Sequence, residues 1–286
     1  MPQFGVQLIG LVVLVLGTAL GEVLLQRRMA LAGAAREARF LAVIAGVGGL
    51  VGVTVWWQNP DYAFAWALPP VAARFLAVAG VAFGAVALRA AWIGTIGHLR
   101  MIAAMLLVYL GPLAAAILLL HLDRFNPSAA ITYAFFAIVL TMVILSMRAL
   151  LRPPDEVRGL TSGMLGLGGF LAGLWGLVLF LWPAGPWPVL WPWPQDPLTT
   201  RLIAAMFLTV AAACHFAEGP AERRTAYILC LLYGAGIGVV VSLALLAGKP
   251  ASLAYLIFWA LVMVAAVRGL VSERAVSSAH APNRRG

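Results

Sequence analysis

Trp66-Ala-Leu-Pro-Pro70-Val-Ala-Ala-Arg74 is written a second time as Trp193-Pro-Gln-Asp-Pro197-Leu-Thr-Thr-Arg201. Trp, Pro and Arg recur at one spacing, and each copy follows a Gly-rich apolar run and opens another. A repeat of this kind points to one multi-helix unit, duplicated and packed about a pseudo-symmetry axis. It constrains architecture closely and activity hardly at all.

The apolar runs identify the solvent. The chain is 63% hydrophobic and 10% charged, whereas soluble domains are about half apolar and about a quarter charged. A net charge of +9 would suggest nucleic acid in a soluble protein. Here the charges sit in short loops between apolar runs, so they set orientation in a bilayer, and no nucleic-acid partner is expected. Cys214 and Cys230 are the two cysteines, read as small buried hydrophobes with no disulfide framework. The first apolar run lacks a basic leader and a small-residue cleavage site, so it is expected to remain as a helix.

A spanning helix needs about 20 mostly apolar residues. Candidate spans are 4–25, 40–57, 71–88, 101–120, 129–147, 164–182, 202–216, 225–246 and 253–267. The seventh reaches full length only by starting near Pro197 and including Arg201, and the ninth only by starting at Pro250. Proline suits a first helical turn, where its missing N–H is not needed.

Arg27, Arg28, Arg36, Arg39, Arg89, Arg100, Arg148, Arg152, Arg158, Arg223, Arg224, Arg268, Arg274, Arg284 and Arg285 fall on one side of this arrangement. Arg74, Arg124, Arg201 and Lys249 fall on the other. By the positive-inside rule the N-terminus is outside, the C-terminus is cytoplasmic, and nine spans satisfy the odd count; the expected location is a bacterial inner membrane. Trp56, Trp57, Trp66, Trp182, Trp187, Trp191 and Trp193 lie at outer span ends, as an aromatic belt requires. The Pro- and Trp-rich stretch 183–197 is expected to lie on the outer membrane surface.

The expected fold is an all-α polytopic bundle of nine helices, one N-terminal helix plus two parallel four-helix repeats. Residues 1–39 form the first helix and a basic loop, 40–158 the first repeat, 159–270 the second, and 271–286 a cytoplasmic tail. Further matches support the duplication: Tyr109 with Tyr233, Pro127-Ser128 with Pro250-Ala251, and Tyr133/Phe136 with Tyr255/Phe258. Four spans per unit make the copies parallel. Gly48/Gly52 and Gly169/Gly173 fall in corresponding helices, where small residues let backbones approach; ordinary bundle packing explains them, and so does a homo- or hetero-oligomer seam.

Candidate chemistry is sparse. His98 and His215 fall near one face, His121 at the opposite face and His280 in the tail, without metal or haem spacing, so no metal or cofactor is expected. The carboxylates lie in loops or near helix ends, which counts against proton- or cation-coupled transport. Asp61 and Asp196 are outer carboxylates of the kind a lipid-linked sugar transferase would use, but they are not repeat equivalents. Arg74 and Arg201 each lie four residues after a helix-opening proline, on the side where positive charge is disfavoured. Each either snorkels to headgroups or pairs with Asp, or it joins the helix N-terminus in holding an anion or lipid headgroup. A pathway, if present, is expected at the paired interruptions Tyr109-Leu-Gly111-Pro112 and Tyr233-Gly234-Ala-Gly236; two kinked helices with packing glycines are the plainer reading.

Trp191-Pro-Trp193-Pro-Gln-Asp-Pro197-Leu-Thr-Thr-Arg201 resembles a W-x-W-x-x-x-P-L-T-x-R element of uncharacterised multi-pass bacterial membrane proteins. It covers about a dozen residues and, more weakly, 64–74, where Phe64 replaces Trp and Val-Ala replaces Leu-Thr. The resemblance implies a multi-pass fold and carries over no catalytic residue. The expected function is non-enzymatic: structural, accessory or lipid-binding, with membrane lipids, anionic ones included, as partners. The alternative is a transporter or channel between the repeats, and the third is an enzyme acting on a lipid-linked substrate at the outer face.

Overall fold

The computed structural model describes residues 2–58, 68–125, 130–151, 164–185, 196–249 and 253–279. Nine α-helices run through the described residues: α1 Pro2–Arg28, α2 Gly33–Gln58, α3 Pro70–Ile93, α4 Ile96–Leu120, α5 Ala130–Leu151, α6 Met164–Leu181, α7 Pro197–His215, α8 Pro220–Leu246 and α9 Leu253–Ala279. Eight are long and apolar enough to cross a membrane, and α6 is a shorter apolar helix over Leu165–Leu181. The chain is an all-α protein of multi-pass membrane type.

Several helices outrun their apolar stretches. Helix α2 begins at Gly33, α4 at Ile96 and α8 at Pro220, each taking in polar residues expected in loops. Apolar periodicity marks only the part of a helix that meets hydrocarbon, while the backbone ladder continues into the polar end. Helix α7 does start at Pro197 and includes Arg201. Helix α9 is described from Leu253, with Pro250 outside the described residues, and it reaches Ala279, inside the stretch expected as tail. Trp66, Trp187, Trp191, Trp193, Asp61, Pro127-Ser128, Pro250-Ala251, His280 and most of 183–197 lie outside the described residues.

Helices α3 and α7 form the centre: 72% and 78% of their apolar windows are buried, against 11% for α1 and for α5. Helix α2 packs along α3 and α6 along α7; α3 packs on α8 and α4 on α7; α4 packs on α5 and α8 on α9. Glycine sets the closest approaches. A Cβ at Gly49 would stand 2.7 Å from Gly80 O, and one at Gly80 would stand 2.8 Å from Gly49 O, so these two backbones touch. In the α6–α7 pair, a Cβ at Gly173 would meet Ala211 Cβ at 3.3 Å.

Arg39, expected in a basic loop, is fully buried in α2. Its guanidinium donates to Met29 O at 2.6 Å and Leu25 O at 3.5 Å, and also to Gln26 Oε1. Glu22 Oε1 accepts from it at 3.2 Å. These contacts close the C-terminal turn of α1, where free carbonyls concentrate negative charge.

Candidate functional site

Three places gather the chemistry. The first is a cavity of about 390 Å³ among α2, α3, α4 and α5, with Leu14 of α1 and Leu202 and Thr209 of α7 at its edges. Gly48 and Gly49 of α2 and Gly80 and Gly84 of α3 lie on its lining; a Cβ at Gly48 would meet only Leu14 Cδ1 at 3.5 Å, whereas one at any of the other three would press on the backbone of the facing helix of the α2–α3 pair. Met105, Leu110 and Val139 are among the apolar walls. Tyr109, Trp56 and Thr209 bring the polar atoms, and the Thr209 hydroxyl already donates to Ala205 O at 2.8 Å. Helices α2 and α5 are tied at one end by Arg148–Glu37 at 3.4 Å, and the cavity lies between them farther along.

Of the expected pathway residues, Tyr109 reaches this cavity and Tyr233 does not line it. Tyr233 is fully buried, stacked on Phe83 at 5.7 Å and edge-on to Trp259 at 5.0 Å. Phe83 also meets Tyr109 edge-on at 6.4 Å, so one phenyl ring separates the two tyrosines. Helix α4 runs unbroken through Gly111 and Pro112, and α8 through Gly234 and Gly236. A Cβ at Gly234 would stand 2.7 Å from Met263 Cγ, and one at Gly236 would stand 2.5 Å from Val78 Cγ1, so both serve close helix contact.

The second place holds Arg74 and Arg201. The Arg74 guanidinium carbon stands 5.8 Å from the centre of the Trp57 ring, a cation–π distance. Arg201 Nη1 lies 2.6 Å from His121 Nε2. Arginine can only donate, so Nε2 accepts and the ring proton sits on Nδ1. Burial and the Arg201 charge hold the His121 pKa below its usual value, with Asp123 and Asp196 opposing. Asp196 caps α7, accepting from Leu198 N at 3.0 Å and Thr199 N at 3.2 Å, and Arg124 Nη2 stands 3.6 Å from it.

The third place is the joint between the first turns of α4 and α8. His98, fully buried, has Nδ1 at 2.7 Å from Thr95 Oγ1 and 3.0 Å from Glu222 Oε1. Its Nε2 is 3.1 Å from Thr225 Oγ1. Thr225 donates its only proton to Ala221 O at 3.0 Å, so it accepts from both His98 Nε2 and Arg89 Nε, the latter at 3.1 Å. Nδ1 faces the Thr95 hydroxyl and the Glu222 carboxylate together. Glu222 fits because Gly97 and Gly219 leave room: a Cβ at either would stand 2.5 Å or less from a carboxylate oxygen.

Sequence reading placed His98 at an interface and missed this joint. The signal was present, since His98 and Glu222 are each the third residue of a helix and each precede the paired tyrosines by the same spacing. The cavity was missed because its glycines read equally well as packing residues. Among the described residues, no three His, Cys, Asp or Glu side chains gather as a metal site. No protein-family model, curated protein or solved structure matches the chain.

Proposed function

We propose that this chain is a non-enzymatic, lipid-binding protein of the bacterial inner membrane, in which the cavity among α2–α5 takes the hydrocarbon part of a lipid. The single observation behind this reading is the cavity: about 390 Å³, in the range of small-molecule sites, and walled almost entirely by aliphatic and aromatic groups. A site without convergent charge has no means to polarise a bond, but it matches an alkyl chain already dissolved in the surrounding bilayer.

Two further readings go with it. The two-repeat architecture is supported by the helix partners: exchanging α2–α5 with α6–α9 turns α2/α3 into α6/α7, α4/α5 into α8/α9, and α4/α7 into α8/α3. The orientation with the N-terminus outside is supported by the basic residues, which crowd one side of the helix arrangement. A transport pathway between the units keeps one specific support, the convergence of Tyr109 and Tyr233 on Phe83.

Native mass spectrometry of gently extracted protein tests the lipid reading. A defined number of phospholipids retained through detergent exchange is expected. Protein that emerges lipid-free, monodisperse and undiminished in thermal stability refutes it. Solute flux in proteoliposomes that is lost in Tyr109→Phe would favour transport instead.

A further inference from the structure

We infer that the cavity among α2–α5 seats a neutral ring ketone with a prenyl tail, a quinone-type lipid, whose carbonyl oxygen accepts from the Tyr109 hydroxyl in the middle of the membrane. This deepens the lipid-binding reading and rests on it.

The depth of the polar atoms narrows the kind of lipid. Tyr109 lies thirteen residues from the start of α4 at Ile96 and eleven from its end at Leu120. At the helical rise these are about 20 Å and about 17 Å, each more than half of the ~30 Å hydrocarbon core. Thr209, the other hydroxyl on the lining, lies twelve residues from the start of α7 at Pro197, about 18 Å. Arg201 on His121 holds that start beside the end of α4, so Tyr109 and Thr209 share one depth. A phospholipid keeps its ester oxygens and phosphate at the edge of the core, and only its alkyl carbons reach this level. An oxygen carried on a neutral ring dissolves in hydrocarbon and meets the phenol there.

The hydrogen bonds then select an acceptor. Thr209 gives its proton to Ala205 O at 2.8 Å. The Tyr109 hydroxyl has no hydrogen-bond partner among the described residues, so its proton is free for an oxygen entering the cavity. A hydroxyl left unmatched in a water-excluded core costs free energy that a ligand carbonyl removes. Among the described residues no Asp, Glu, Lys, Arg or His lines the cavity, which favours a ligand without charge.

The walls select a ring. Trp56, Phe83, Tyr109 and Phe135 line the cavity, and Phe83 meets Tyr109 edge-on at 6.4 Å. Aromatic faces and edges of this kind pair with a flat ligand. Met105 and Met142, on α4 and α5, bring thioethers that adapt to a ring edge. Apolar walls with one or two placed polar groups are the usual make-up of a small-molecule site, in which the polar groups fix orientation. Ile138 lines the cavity and is 44% exposed, so a prenyl tail has a way out to the bilayer beside α5.

The test uses the full chain in phosphatidylcholine nanodiscs and equilibrium dialysis of two radiolabelled probes, with binding to empty nanodiscs subtracted. One probe is a benzoquinone with a two-isoprene tail; the other is the matching terpene hydrocarbon without oxygen. Wild type is expected to bind one quinone per chain, saturably, and the hydrocarbon more weakly. Tyr109→Phe should weaken the quinone about tenfold and leave the hydrocarbon unchanged. Gly48→Phe fills the cavity, since a Cβ at 48 meets only Leu14 Cδ1 at 3.5 Å, and should abolish saturable binding of both. Ile138→Trp fills it from the α5 wall and should act alike if Gly48→Phe fails to fold. Quinone affinity unchanged in Tyr109→Phe, or a folded plug variant that binds as wild type does, overturns the assignment. Wild type that binds the hydrocarbon at least as tightly as the quinone overturns the ring ketone and leaves the lipid-binding reading standing. Wild type that binds neither probe and retains no phospholipid overturns both.

Discussion

Removing either half of the His98–Glu222 pair should cost more than removing the second half afterwards. The pair crosses between α4 and α8 at 3.0 Å, with the imidazole fully buried and the carboxylate 13% exposed. Stripping one partner from a buried pair typically costs about 3–5 kcal/mol. Here the orphaned Glu222 stays at the N-terminus of α8, which returns about 0.3–1 kcal/mol, and keeps Thr95 as a donor at 3.4 Å. His98→Ala should therefore lose about 2–3 kcal/mol. Glu222→Gln preserves shape and one acceptor, so about 1–2 kcal/mol is expected. The double variant should fall short of the sum by about 1–2 kcal/mol, within the range for residues in contact. Reversible denaturant unfolding of all four proteins in one detergent measures this coupling. Strict additivity, with a coupling below about 0.5 kcal/mol, would show that the two side chains do not form a pair and would sink the reasoning.

Arg39→Met should destabilise by about 3–5 kcal/mol by stranding Glu22 and the α1 carbonyls, whereas Arg36→Gln, at a guanidinium 58% exposed, should cost at most about 1 kcal/mol; thermal unfolding compares the two. His121 has a folded-state pKa below its usual 6.5, so its neutral ring contributes stability that is fully present above 6.5 and is lost as the pH falls through the folded value. Melting temperature should therefore drop more steeply between pH 7 and 5 in wild type than in His121→Gln, and equal slopes would count against the Arg201 contact. Gly49→Ala, where the added carbon stands 2.7 Å from Gly80 O, should destabilise by about 1–3 kcal/mol. The neighbouring Gly48→Ala, whose added carbon makes only an ordinary contact with Leu14 Cδ1 at 3.5 Å, should be neutral or stabilising by up to about 1 kcal/mol. A cysteine at Ala184 should react with an impermeant maleimide only from outside intact cells and one at Ala221 only after permeabilisation; labelling of both from one side would break the nine-span orientation.

The number and kind of the helices were legible because hydrocarbon leaves its mark on every residue that faces it. The runs from 4–25 to 253–267 all became helices, and Pro197 opened α7 as its position suggested. Their polar ends were not legible, because past the apolar stretch only hydrogen bonding continues the helix, and Arg36 or Glu222 reads as loop as readily as first turn. Burial of charge was hidden for a similar reason. Arg39 differs in no local way from Arg36, yet one is fully buried and the other exposed, a difference set by where α1 ends. Arg74 and Arg201 share a spacing but not a contact: their partners, Trp57 and His121, come from different helices and from different distances along the chain.

On the proposed two-repeat reading, the halves can differ in what they hold without losing their shared fold where the residues that bring backbones together are not the ones that fill the space between them. Gly49 faces Gly84 of α3, and Gly173 faces Ala211 of α7, each a small residue of the next helix. Those contacts fix the α2–α3 and α6–α7 distances, since packing is what associates helices in lipid. Between the fixed helices the side chains are free to vary. Phe207, Trp175 and Trp259 build a ring cluster among α6, α7 and α9, while Ala45 and Gly48 of α2 and Ala79 of α3 border an opening that Tyr109 lines. An opening in a membrane-embedded core loses dispersion contacts along its whole wall unless something enters it. The molecules always at hand to enter are the lipid chains around the protein, which is the physical ground of the proposed lipid-binding reading.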